Sequence, residues 1–209
     1  MVPNTERLRT LGLAAGLVAY SATARWQIPG RHHPVVQAAL GSALAKAAGA
    51  RAGLRGTPLR AGLGEGGAAA AVVAAAVAAG IVLPPVRRAL RQRDVPPRGW
   101  RWLAVDIPLG TVWAEEAAYR GALGTWAGQA FGAHRGRLLQ ATAFGLSHVI
   151  DARRGGDPVV GTVLVTGAAG WIFAVLAERT GSLLAPALAH LAINEAGAVA
   201  ALVVQHNRY

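Results

Sequence analysis

The sequence predicts an all-α protein: a polytopic bundle of about six to seven transmembrane helices with a polar site inside it. Three observations carry that prediction. Hydrophobic residues make up 53% of the 209-residue chain and charged residues 15%, against about 25% charged in an ordinary soluble domain. Crossing a hydrocarbon core takes about 20 apolar residues at helical rise, and the stretches 66–86 and 158–177 are free of charge. Two further apolar stretches enclose polar groups: 107–132 holds Glu115, Glu116 and Arg120, and 181–204 holds His190, Asn194 and Glu195. Ionisable side chains are costly at such depths and mark function more often than accident.

The elements follow in order. The piece 10–24 comes after Arg7 and Arg9 and ends in Ala22-Thr23-Ala24, the small-x-small shape of a leader cleavage site; it is expected to stay as a first helix. The Ala-rich piece 32–45 stops at Lys46 and fits either a bundle helix or one lying in the interface. The span 66–86 leads into a basic linker, 87–101, with Arg87, Arg88, Arg91, Arg93, Arg98 and Arg101, and with Trp100 and Trp102 where an interfacial belt would lie. That linker is expected on the cytoplasmic side. The helix from Ile107 leaves this face, the turn Gly132 to Gly136 lies opposite, and 138–150 is about 20 Å long if helical, too short to cross alone. The loop 151–157 returns to the basic side, 158–177 goes out, and 181–204 comes back to end near Arg208.

This topology leaves Lys46, Arg51, Arg55 and Arg60 on the opposite face, so the N-terminal half does not follow the positive-inside rule. Gly12 and Gly16 have the small-xxx-small spacing of a packing face. There is no internal repeat. The organisation expected is one integrated membrane domain of the cell membrane, with N-terminal helices and the basic loop in 1–99 and a helical core in 100–209.

The net charge of +11 does not indicate nucleic acid, because the basic residues fall in short runs between apolar blocks without interleaved aromatics. The chain has no cysteine, hence no disulfide framework, thiolate metal site or cysteine nucleophile. It has no phosphate-binding loop, no dinucleotide glycine fingerprint and no H-E-x-x-H zinc motif.

Three short motifs carry the chemistry. In Glu115-Glu116-Ala117-Ala118-Tyr119-Arg120 the two carboxylates point about 100° apart on an α-helix, so they are not expected to share a target. Glu116 and Arg120 stand i,i+4 in the favourable order, leaving Glu115 to face something else; an interfacial ion-pair cluster would look the same. Phe144 and His148 lie one turn apart at the end of the short helix, where a hydrogen-bonded core histidine is the plainer alternative. His190 and Asn194 share a helical face one turn after Pro186, which strands the Ser182 carbonyl if the helix already runs there. An interhelical polar clasp would also use such a pair. His32, His33, His134 and His206 fall in loops or the tail and are expected to be solvated.

Taken in order, E-E-x-x-x-R, F-x-x-x-H and H-x-x-x-N resemble the three motifs of the CAAX protease and bacteriocin-processing (CPBP, or Abi) family, which includes the type II CAAX prenyl endopeptidases. The resemblance covers about residues 100–204, and Tyr119 and Pro186 are also family-like. It implies an intramembrane endopeptidase acting on a membrane-associated protein or peptide, without implying a prenylated target. By the same resemblance Glu115 and His148 activate a water molecule, while His190 and Asn194 stabilise the oxyanion. Glu116 and Arg120 then hold the helix and orient the first carboxylate, with Phe144 in support. A base, a second group to orient the water and two donors are what amide hydrolysis requires. No cofactor is expected; the alternative is a zinc ion held by Glu115, His148 and His190, which leaves no general base unless Glu116 turns inward. The alternative function is a non-catalytic scaffold or immunity protein that keeps the fold, and a transporter would be expected to show an inverted repeat.

Overall fold

The computed structural model describes residues 3–24, 26 and 28–206, which form helices and short connections without strands. The long helices are α1 (Asn4–Ala22), α2 (Pro34–Ala47), α3 (Gly56–Gly80), α5 (99–131), α6 (Ala133–Ser147), α8 (Val159–Thr180) and α9 (Leu184–His206), and the short ones are α4 (Pro84–Gln92) and α7 (Val149–Gly155). Arg208 lies outside the described residues. The helical membrane bundle anticipated from composition is the observed architecture.

Helices α3, α8 and α9, of 25, 22 and 23 residues, are long and apolar enough to cross a membrane. Val72 on α3 and Val160, Leu164 and Val165 on α8 are exposed, as a lipid-facing surface requires. The first of these spans runs 56–80 rather than 66–86. Its first turns tolerate charge because Glu65 pairs with Arg179 at the end of α8, at 3.1 Å. Beyond Gly80 the chain turns and restarts at Pro84 and Pro85, residues suited to a first helical turn, where no N–H is needed.

The bundle has two ends. At one, Gln205 near the end of α9 donates to the carbonyls of Leu90 (2.9 Å) and Arg93 (2.8 Å), joining the basic linker to the C-terminal helix. The α1–α2 connection and the α6–α7 junction lie at this end as well, because Pro34 packs on Gly110 and α7 packs on α1. At the other end the N–H of Leu183 donates to the Ala52 carbonyl at 3.0 Å. Gly53 makes this junction possible: its φ is +64°, and a Cβ there would overlap the Gly181 carbonyl.

Small residues set the helix spacing elsewhere. Gly62 and Gly66 let α3 approach α9 so closely that a Cβ on Gly66 would stand 2.7 Å from the Ala185 Cα. Gly12 and Gly16, singled out by their spacing, have nothing within 4 Å of a built Cβ and hold no helix against α1. Helix α2 is a bundle helix and not an interfacial one: Gly41 lies against the Ala114 carbonyl and Ala45 against Gly121 of α5.

Helix α5 departs from the straight α-helix expected of it. Trp102–Trp113 and Glu116–Leu123 are π-helical, with i→i+5 bonding that places more residues in each turn. Pro108 lies inside the first stretch and lacks the N–H an α-helical turn would use. Ala114 and Glu115 separate the two stretches, so the motif carboxylates sit where the winding changes.

Candidate active site

Glu116 is fully buried on α5, and its Oε1 takes two partners: Nη1 of Arg120 at 3.2 Å and Nδ1 of His190 at 2.8 Å. The other nitrogen of the same imidazole, Nε2, is 3.8 Å from Oε2 of Glu115. The two glutamates therefore converge on one histidine from opposite sides. A purely α-helical reading separated them by about 100°; π winding rotates successive side chains by less, and α9 inserts His190 between them.

Aromatic rings enclose this cluster. The Arg120 guanidinium lies 4.1 Å from the Phe144 ring centre and 5.0 Å from that of Phe173. Cation–π attraction and the Glu116 carboxylate offset its desolvation, although among the described residues none of its three nitrogens has a hydrogen-bond partner. Phe173 also stacks on His190 at 5.1 Å between ring centres, while Phe144 meets Tyr119 (5.1 Å) and His148 (4.8 Å) edge-on. The imidazole of His190 is thus fixed by a carboxylate on its edge and a ring on its face.

His148 ends α6, at a break before α7. Its Nδ1 lies 2.8 Å from the Phe144 carbonyl, which can only accept, so Nδ1 carries a proton and, in the neutral ring, Nε2 is the acceptor. Ser147 donates to the same carbonyl at 2.7 Å. Glu115 and His148 both line a cavity of about 540 Å³ between α1, α2 and α5. Leu13, Leu17, Leu40 and Leu44 make its apolar sides, and Tyr20, Arg31 and Asp151 stand at the end of the bundle that carries the basic linker. His190 lies behind Glu115, outside the cavity wall.

Asn194 is one turn further along α9, half-buried, and its Nδ2 donates to the His190 carbonyl at 3.2 Å. One of its two amide protons is used within its own helix. Pro186 falls in the first turn of α9, which starts at Leu184, so it breaks nothing. The helix does not run at Ser182, so the proline takes no helical bond from its carbonyl; the Ser182 hydroxyl accepts the Leu184 N–H at 3.2 Å.

Sequence reasoning missed three contributors. Phe173 lies in a charge-free span with no signal to single it out. Arg31 is buried at the cavity rim, where it stacks over Tyr20 at 4.0 Å and donates to the Thr23 hydroxyl at 2.7 Å. The leucines of α1 and α2 gave only hydrophobicity. His32, expected to be solvated, is exposed and borders the cavity. Among the described residues no three His, Asp or Glu side chains form a group that could hold a metal ion as they stand.

Residues 97–196 match the family described as Type II CAAX prenyl endopeptidase Rce1-like. No curated protein matches the chain, and no solved structure does. The matched segment contains Glu115, Glu116, Arg120, Phe144, His148, His190 and Asn194, whereas the cavity walls from α1 and α2 lie outside it. Over residues 97–196, just under half of its length, the chain is thus similar to the Rce1-like type II CAAX prenyl endopeptidases.

Proposed function

We propose that this protein is an intramembrane endopeptidase of the glutamic type, hydrolysing a peptide bond of a membrane-associated protein or peptide. The observation that carries the reading is the shared wall of Glu115 and His148 in a cavity whose other sides are apolar. Such a cavity admits an amphiphilic segment and presents its backbone to two proton acceptors.

In this mechanism Glu115 takes a proton from a water molecule oriented by Nε2 of His148, and the water oxygen bonds to the scissile carbonyl carbon. Charge develops on the carbonyl oxygen. The family resemblance gives its stabilisation to His190, held at Nδ1 by Glu116, and to the second amide proton of Asn194; both lie outside the cavity wall, so this role requires substrate to displace the Glu115 side chain from in front of His190. Collapse of the tetrahedral intermediate breaks the C–N bond, and Glu115 returns its proton to the leaving amine. Each oxyanion donor is worth about a hundredfold to a thousandfold in rate.

The test is cleavage of a fluorogenic lipopeptide by the full chain in proteoliposomes. Loss of turnover in Glu115→Gln and His148→Ala, with the helical spectrum retained, is the expected result. Full cleavage by either variant overturns the reading.

A further inference from the structure

The Arg-rich helix α4 is not used by the chemistry above. It follows the span α3 directly and packs on the end of α9, where Gln205 ties down the carbonyls of Leu90 and Arg93. Its sequence separates two faces. Arg87, Arg88 and Arg91 fall within one arc at about 100° per residue, while Val86 and Leu90 fall opposite. All three arginines are exposed, and among the described residues none has a carboxylate partner. Over 82–106 the acids are Asp94 and Asp106, and Asp106 already pairs with Arg101 at 3.5 Å.

The depth of this face is set by its neighbours. Val82 and Leu83, at the end of α3, are exposed apolar residues that belong in hydrocarbon, and Trp100 is 72% exposed just beyond the linker. Tryptophan in that position marks the boundary between hydrocarbon and headgroups. The arginines therefore stand at headgroup level with their guanidinium groups free, at the end of the bundle where the cavity has its polar rim.

We infer that the Arg87, Arg88 and Arg91 face of α4 is a docking surface for anionic phospholipid headgroups of the leaflet in which α3 ends. Complementary charge and position both favour phosphate over a soluble partner. A cationic side chain near an anionic bilayer surface gains an attraction that salt screens, and the bidentate guanidinium suits a phosphate diester. Anionic lipid is thereby concentrated beside the cavity entrance.

The full chain in nanodiscs tests this through Trp100, its signal isolated by subtraction of Trp100→Phe. Brominated phosphatidylglycerol should quench Trp100 in preference to brominated phosphatidylcholine at equal mole fraction. At low salt the preference should be at least about fivefold, the size expected of one engaged arginine, and it should collapse in high salt. An Arg87→Gln, Arg88→Gln, Arg91→Gln variant should lose the preference, and the corresponding triple Lys variant should keep most of it. Equal quenching by the two lipids in the unaltered chain overturns the inference, as does a preference unmoved by salt.

Discussion

Glu116 on α5 and His190 on α9 share a hydrogen bond of 2.8 Å between buried side chains. It joins residues 74 positions apart in sequence, on two helices, and sets which imidazole nitrogen faces Glu115. Glu116 thus acts on the histidine, whereas the motif alone suggested a partner for Arg120 and a support for Glu115. The contact with Arg120 is present beside it, on the same oxygen.

A first prediction follows from that geometry. Glu116→Gln leaves the buried Arg120 guanidinium without its counterion, and breaking a buried pair in this way costs about 3–5 kcal/mol. Thermal denaturation in detergent should show a large loss, and the Glu116→Gln, Arg120→Met double variant should lose less than the two single losses added together. Strict additivity would show that the pair is not coupled.

Glycines separate tight from loose helix contacts. Gly66→Ala places a methyl 2.7 Å from the Ala185 Cα, so α3 must move away from α9 and the melting temperature should fall. Gly12→Ala meets nothing within 4 Å and should be neutral or stabilising by up to about 1 kcal/mol through helix propensity. Equal effects at the two sites would contradict the packing described.

The two ends of the bundle give a topological prediction. The chain lacks cysteine, so each introduced thiol reports alone. Cysteines at Arg88 and Arg153 should react with an impermeant reagent from the same face of sealed vesicles, and one at Arg135 from the opposite face. Labelling of all three from one side would reverse the order of α5 and α6.

Metal dependence is a separate question. With Glu115 as the proton acceptor, a strong chelator should leave the cleavage rate unchanged. Inhibition reversed by stoichiometric zinc would convert His148 and His190 from acceptor and donor into ligands, and would require the cluster to rearrange from the present arrangement.

Much of the fold was legible because lipid imposes a coarse rule: long charge-free stretches must become helices. That rule found α8, left α9 to be read as an apolar stretch enclosing polar groups, and misplaced α3 by ten residues at its start, because the Glu65–Arg179 pair depends on a helix more than a hundred residues away. The motif residues were legible as types, since Glu, His and Asn inside apolar runs stand out. Their mutual arrangement was not. Convergence of Glu115 and Glu116 on His190 depends on where α9 places that ring between them, and no helical period within α5 encodes that. Phe173 was invisible for the opposite reason, being one apolar residue among many, although it stacks on the histidine and faces the arginine.

The central claim is that Glu115 performs chemistry in the cavity it shares with His148. The most direct measurement compares membrane-peptide cleavage in cells carrying the unaltered chain with cells carrying Glu115→Gln at equal abundance, read by mass spectrometry of new peptide termini. Termini present with the unaltered chain and absent with Glu115→Gln are the predicted result. An identical set of termini in both would contradict the account and leave the Glu115, Glu116 and His190 cluster as a structural clasp between α5 and α9.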